Sequence, residues 1–129
     1  MKYMLLMSGT KPEFNAYAQW PREAHATHAA FMRKLSKELA GEGSFVSTLG
    51  LGWPTEAKLV RAAPDGSPVT DGVFPESKEF LAGLWIVDVE SAAEAYRIAA
   101  RLSAQPSPQG GSAPIEVRQI LGGPPQEYL

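Results

Sequence analysis

Apolar residues in this chain fall into short continuous runs and longer runs with helical spacing. Residues 2–8 and 81–89 are short and almost wholly apolar, which predicts two buried strands. Two further short runs, residues 45–51 and 57–62, predict neighbouring strands of a meander. Residues 115–121 predict the last strand of the same sheet. The chain therefore alternates predicted strands with longer segments whose apolar residues recur at helical spacing.

Two of those longer segments predict helices. Residues 22–40 contain neither Gly nor Pro, and five of their residues recur at helical spacing, so that they fall within one arc of about 60° around a helix. That arc consists of Ala24, His28, Phe31, Leu35 and Leu39. A second helix is predicted after Ser91, since Glu94 completes a capping box there. Residues 9–21, which contain Pro12 and Pro21, are interpreted as a loop, and Pro64 to Ser67 as a turn.

This order of elements predicts an α+β fold of ferredoxin-like type, with an antiparallel sheet and two helices on one face. The strands at residues 3–7 and 84–89 are apolar on both faces, as strands are when both sides are buried. Two helices cover only one face, so a second copy of the chain is expected to cover the other, giving a homodimer. Residues 1–121 form the single predicted domain, and residues 122–129 a Pro-rich tail.

Composition and net charge limit the classes of partner and the kinds of chemistry expected of this chain. A length of 129 residues suits one domain with its own core. Twelve basic against fourteen acidic residues give a net charge of −2, which favours neither nucleic acid nor a membrane as partner. There is no cysteine, so thiol chemistry and disulfides are excluded. The sequence shows no phosphate loop or dinucleotide motif, and its short apolar opening is not expected to act as a signal segment; we expect a cytoplasmic protein that needs no cofactor.

The segment 71–80 is the first candidate for function. Its charged residues lie between Phe74 and Phe80, immediately before a buried strand, which is typical of a loop folded over a cleft. Phe74, Glu76 and Lys78 are therefore candidate ligand-binding residues, with Lys78 suited to neutralise an anion. The alternative is that Glu76 and Lys78 belong to an ordinary solvated charge cluster.

Histidine supplies the candidate acid–base chemistry. His28 lies inside the apolar arc of the first helix, while His25 lies at its edge. His28 is either a core imidazole bonded to the backbone or a general base in a cleft between helix and sheet. A metal site at His25 and His28 would need a carboxylate beside both histidines, and no metal site is predicted.

Two further charged residues keep two interpretations each. Asp71, followed by Gly72, is either a turn residue or a carboxylate that acts on a neighbouring side chain. Arg118 shares a strand face with Glu116, and is either a structural ion-pair partner or a clamp for a ligand carboxylate or phenolate. The three tryptophans are packing residues or line an aromatic pocket.

A family resemblance rests on residues 69–83, Val-Thr-Asp-Gly-Val-Phe-Pro-Glu-Ser-Lys-Glu-Phe-Leu-Ala-Gly. This segment resembles the signature of the YCII-related proteins in their DGPF branch, with Val73 where that branch usually has Pro. The opening residues 1–7, the strand at 85–89 and the segment 115–118 extend the resemblance over about residues 1–121. It implies a dimeric α+β barrel. It also implies a His–Asp pair, which here would be His28 and Asp71.

The resemblance leaves the function open between two classes. Relatives associated with dehydrochlorination of hydroxylated aromatics imply a cofactor-independent enzyme in which His28 and Asp71 move protons on a small molecule. The alternative is a noncatalytic ligand-binding or regulatory module, since DGPF-type proteins are often encoded near extracytoplasmic-function sigma factors. A cofactor-free oxygenase and a purely structural dimer complete the range.

Overall fold

A computed structural model describes residues 1–72 and 78–124 of the chain. Its strands and helices follow one another from β1 to β6. They are β1 (Lys2–Thr10), α1 (Lys11–Ala18), α2 (Arg22–Gly41), β2 (Phe45–Gly50), β3 (Lys58–Ala62), β4 (Pro68–Gly72), β5 (Glu79–Asp88), α3 (Ala92–Ser103) and β6 (Glu116–Ile120). A short 3-10 helix, Pro54–Glu56, lies between β2 and β3. The predicted positions of α2, α3, β1, β2, β5 and β6 are confirmed to within a few residues.

Four strands form the main sheet in the order β2-β5-β1-β6, with every neighbouring pair antiparallel. The described residues thus fold as an α+β domain with a four-stranded antiparallel sheet and three helices, which confirms the predicted fold class. None of those helices is long and apolar enough to cross a membrane.

The core lies between one face of this sheet and two helices. Tyr3 and Leu5 of β1, with Trp85 and Val87 of β5, point to that side and are at most 6% exposed. Helix α2 contributes Leu35 and Leu39, and α3 contributes Ala95, Ile98, Ala99 and Leu102. Alternation along a strand brings every second residue to the same face, so the apolar arcs of both helices meet an apolar strand surface. The predicted helix faces are confirmed.

The sheet face away from α2 and α3 is also apolar. Met4 and Leu6 of β1 lie beside Leu84 and Ile86 of β5, and all four side chains are half-buried. Strand β2 adds Leu49, which is 55% exposed and lies opposite Leu84. We call this surface the open sheet face. It confirms that the central strands are apolar on both sides.

Helix α1 corrects the prediction of a loop over residues 9–21. Pro12 lies in the first turn of α1, where a missing backbone N–H costs no helical hydrogen bond. The Glu13 carboxylate accepts from the Thr10 backbone N–H at 3.0 Å and from its hydroxyl at 2.9 Å, which fixes the start of the helix. Proline therefore marks a helix start here rather than a loop.

The hairpin formed by β3 and β4 corrects the predicted meander. Strand β3 pairs with β4 in a separate two-stranded sheet and not with β2. The predicted turn between them is confirmed, with Gly66 at φ +86°. The hydroxyl and backbone N–H of Ser67 donate to the Asp65 carboxylate at 2.6 and 3.0 Å, and these bonds hold the pKa of Asp65 below its usual value. The hairpin is thus a local unit built around its own turn.

The close approach of β2 to β5 predicts different effects for two paired glycines. A Cβ atom at Gly83 would lie 2.8 Å from the Leu49 carbonyl oxygen, whereas one at Gly50, opposite Gly83, would meet nothing within 4 Å. Gly83→Ala should therefore lower the free energy of unfolding by about 1–3 kcal/mol, because the strands must separate. Gly50→Ala should change it by less than about 1 kcal/mol. Urea unfolding measures both, and equal midpoints for the two variants would contradict the close packing.

Candidate functional site

An aromatic cluster occupies the junction of α1, the first turns of α2 and the loop after β2. Tyr17 is its centre: its ring centroid lies 4.8 Å from Trp20, 4.7 Å from His25, 6.2 Å from His28 and 6.0 Å from Trp53. We call these five residues, together with Phe14, the aromatic cluster. Edge-to-face and tilted contacts at such distances are favourable, so the cluster brings both histidines of the chain against aromatic rings.

The sequence assembles this cluster through local geometry. Phe14 and Tyr17 are three residues apart on α1, and His25 and His28 have the same spacing on α2, so each pair shares one helix face. Gly9 ends β1 against α1, where a Cβ atom would lie 3.2 Å from the Phe14 ring. The small residue lets α1 turn back closely over the sheet.

His28 makes the most specific polar contact in this region. Its Nε2 lies 2.7 Å from the Gln105 side-chain oxygen, across 77 positions of sequence. The Gln105 amide nitrogen donates to the Leu102 carbonyl oxygen at 3.2 Å and lies 3.7 Å from the Met7 sulfur. Because a carbonyl oxygen only accepts, the Gln105 nitrogen is committed to Leu102 and its oxygen faces His28.

This arrangement determines the tautomer of the imidazole. An amide oxygen accepts hydrogen bonds, so Nε2 of His28 must carry the proton, and Nδ1 of the neutral ring is left with its lone pair. No described residue forms a hydrogen bond with Nδ1. Within the same residues no fully buried side-chain nitrogen or oxygen lacks a partner, so Nδ1 keeps contact with solvent. His28 is therefore an oriented proton acceptor in a half-buried position.

Asp71 lies elsewhere, on the hairpin. It belongs to β4 opposite Leu59, and its carboxylate accepts from the Arg61 guanidinium at 3.0 Å. Both residues are described, and no hydrogen bond connects Asp71 with His28. The orienting partner of His28 in this structure is Gln105, and the His28–Asp71 pair stays a prediction.

A pocket of about 370 Å³ adjoins the aromatic cluster through Trp53. Phe80 and Leu81 at the start of β5 form one wall, and Glu56 is the charged residue among the described residues of the lining. Its other described residues are Leu51, Gly52, Pro54 and Ala57. Trp53 is 46% exposed, so a ligand in this pocket would contact a ring that also touches Tyr17.

Two of the other predicted ligand-binding residues, Lys78 and Arg118, are described and lie on different elements. The Lys78 ammonium lies 5.4 Å from the centre of the Phe80 ring, and Phe80 lines the pocket. Phe74 and Glu76 lie outside the described residues. Arg118 lies opposite Met4 on the open sheet face and pairs with Glu116 at 3.8 Å, so it is on the other side of the sheet from the core-packed helices.

Sequence reasoning missed Gln105 and Tyr17. Phe14, Tyr17 and Trp20 recur every third residue, which is a helical signal that the loop interpretation of this segment concealed. Gln105 follows α3 in a stretch without any periodic pattern, and only the packing of α3 against α2 brings it to His28. Among the described residues no group of three His, Cys, Asp or Glu side chains could hold a metal ion.

The described residues form a small α+β domain with an oriented histidine in an aromatic cluster and an apolar pocket that adjoins this cluster through Trp53. The chain belongs to the YCII-related domain family, whose profile matches residues 1–121. The predicted family membership is thus confirmed over nearly the whole chain. No curated protein matches it.

The contact between His28 and Gln105 predicts the tautomer of His28. At a pH where imidazoles are neutral, His28 should be protonated at Nε2, because only that form donates to Gln105. Gln105→Leu keeps a side chain of similar size but removes the acceptor, and should shift His28 toward a mixture of tautomers. Long-range proton–nitrogen NMR correlations report the tautomer, and His25 serves as the internal control. A His28 ring protonated at Nδ1 in the parent protein would contradict the assignment.

Proposed function

We propose that this YCII-related protein is a cofactor-independent enzyme that moves protons on a small hydroxylated aromatic molecule, with His28 as general base. The observation that carries this proposal is the 2.7 Å contact of His28 with Gln105, in an aromatic cluster whose Trp53 lines an apolar pocket. A fixed imidazole with a free nitrogen, surrounded by aromatic rings, combines proton transfer with a binding surface for a planar ligand. The motif around Asp71 and Gly72 favours the DGPF branch of the family as part of the same proposal.

The proton is transferred to Nδ1 of His28. Before transfer, Nε2 donates to Gln105, and it continues to donate once the ring is protonated at both nitrogens. Gln105 therefore stabilises the imidazolium and prevents rotation of the ring. The Trp20 ring centroid lies 5.8 Å from that of His28, within the range at which an aromatic ring attracts a cation. The proton comes from a phenolic hydroxyl or from a carbon next to a leaving group.

Asp71 has a place in this proposal only after a rearrangement. The carboxylate would have to leave Arg61 before it could approach an imidazole. The family resemblance supports the pairing of Asp71 with His28, and the observed contacts support Gln105 in that role. We therefore assign the orientation of His28 to Gln105 and retain Asp71 as a hypothesis.

A second candidate function is noncatalytic ligand binding, and the lining of the pocket favours it. Trp53, Phe80 and Leu81 offer an apolar surface, and none of the described lining residues is a histidine. Lys78, which lies over the ring of the lining residue Phe80, would hold an anionic group of the ligand. A regulatory role, including one in a sigma-factor system, would use this pocket without any chemical step at His28.

We also infer that two copies pack through their open sheet faces as a dimeric α+β barrel. Met4, Leu6, Leu84 and Ile86 form a contiguous apolar surface, and α2 and α3 both lie on the opposite side. Sheets with apolar faces pack about 10 Å apart and exclude water from both. A second copy presents a surface of matching shape and composition through a two-fold axis.

The dimer proposal predicts the effect of a charge on the open sheet face. Ile86→Lys should convert the protein to a monomer that stays folded, since a buried unpaired ammonium disfavours association. Tyr96→Lys is the matched control, because Tyr96 is 59% exposed on α3 and lies away from that face. Sedimentation equilibrium at micromolar concentration measures the mass. A monomeric parent protein would contradict the proposal.

The enzyme proposal predicts which histidine is required. A chlorinated trihydroxybenzene is a suitable probe, since loss of HCl gives a hydroxyquinone without an oxidant, and chloride release can be followed. His28→Gln should reduce turnover by about 100-fold or more while binding is retained. His25→Gln is the control, because His25 shares the aromatic cluster but not the contact with Gln105. Binding is followed by quenching of tryptophan fluorescence.

The two candidate functions give different outcomes in this assay. Chloride release that depends on His28 and not on His25 supports the enzyme. Quenching without any release in the parent protein supports the binding module instead. Equal turnover in both histidine variants would remove His28 from the mechanism.

A further inference from the structure

The β3–β4 hairpin has no packing partner within the part of the chain that the structure describes. All ten residues of its two strands are exposed. Leu59, Val60 and Val69 are 52%, 62% and 42% exposed, although their side chains are aliphatic. Leu59 and Val69 lie on the same face of the hairpin, and two exposed aliphatic side chains on one face of so short an element indicate a surface that becomes covered.

The hairpin lacks the means to be stable by itself. A two-stranded sheet is marginal in water unless a third strand or another element packs on it. The ion pair between its strands, Arg61 with Asp71 at 3.0 Å, is 73% and 60% exposed and contributes little. The hairpin therefore needs a contact beyond those that the described residues supply.

One face of the hairpin has the same composition as one region of the open sheet face. The register places Leu59, Arg61, Val69 and Asp71 on one side of the hairpin. This set consists of two aliphatic side chains, one arginine and one carboxylate. The β1–β6 side of the sheet presents an equivalent set, in which Arg118 is opposite Met4 and Glu116 is opposite Leu6.

We propose that the hairpin is an arm that packs on the β1–β6 side of the open sheet face of a second copy. Arg61 then pairs with Glu116 of the partner subunit, and Asp71 pairs with Arg118 of the partner subunit. Leu59 and Val69 extend the apolar contact of the dimer at the β6 edge of that face. Each charged residue of the arm thus faces an opposite charge on the other subunit. A two-fold axis repeats the contact, so it is made twice in the dimer. This inference rests on the proposed dimer.

The position of the arm connects the dimer with the pocket. Glu56 and Ala57, which lead into β3, line the pocket, and so do Phe80 and Leu81 on the return from β4. Docking of the arm on a second copy fixes both of these segments. The pocket walls are thereby set by the dimer, and the arm is a positioning element for ligand binding.

Two charge reversals test the arm between molecules. Arg61→Glu and Glu116→Arg each place like charges together at both arm contacts of a homodimer, and each should weaken dimerisation on the order of tenfold or more. A mixture of the two variants should restore it, because every arm contact in the mixed dimer then joins opposite charges. Contacts within one chain cannot produce this rescue, since each variant keeps its own like-charged neighbours. Sedimentation velocity of differently labelled variants measures the mixed dimer.

Arg97→Glu is the matched control, since Arg97 is exposed on α3, away from both proposed surfaces. It should dimerise like the parent protein, and it should give no rescue when mixed with Arg61→Glu. Parent-like dimers of both single variants would overturn the arm and leave the sheet-to-sheet dimer in place. Weakened single variants without rescue in the mixture would also overturn it. A monomeric parent protein would overturn both proposals.

Discussion

The antiparallel ladder between β1 and β5 is the contact on which the rest of the structure depends. It pairs residues from Lys2 opposite Asp88 to Thr10 opposite Glu79 and contains one irregularity, between Met7 and Ser8. This register sets Leu5 opposite Trp85, both essentially without exposure, and so builds the floor on which α2 and α3 pack. A shift by one residue would turn every one of these side chains to the other face.

The ladder also positions the candidate site. Met7 lies where β1 leaves the core, and its sulfur contacts the Gln105 amide that holds His28. Two residues further on, Gly9 allows α1 to fold back so that Tyr17 reaches both histidines. The backbone pairing of β1 with β5 thus determines how the His28 imidazole is oriented at the end of the sheet.

The elements that could be predicted from the sequence are those with a repeating pattern. The apolar arc containing Leu35 and Leu39 predicted α2 and predicted that His28 points toward the sheet, because burial follows helical spacing directly. The capping residues Ser91 and Glu94 gave the start of α3. These signals are local, so a single sequence contains them in full.

The remaining parts depend on contacts between distant residues. Strand β4 has only Val69 as a large apolar residue, and its pairing with β3 follows from the turn at Gly66 rather than from any pattern in Pro68–Gly72. Gln105 reaches His28 only because two helices pack on the same sheet face, and no spacing in the sequence records that contact. The sequence therefore singled out His28 as a candidate residue and missed Gln105, the residue that orients it.

The identity of the orienting residue has a chemical consequence for the proposed mechanism. A carboxylate partner would neutralise the imidazolium that forms on proton transfer, whereas the Gln105 amide is neutral and leaves its positive charge in place. A hydroxylated aromatic that loses a proton becomes an anion beside this cation. Because charges attract more strongly in a half-buried aromatic environment than in water, the ion pair of ligand and imidazolium is itself stabilised. A neutral orienting group thus suits a ligand that provides the negative charge, which is the chemistry expected of a phenol.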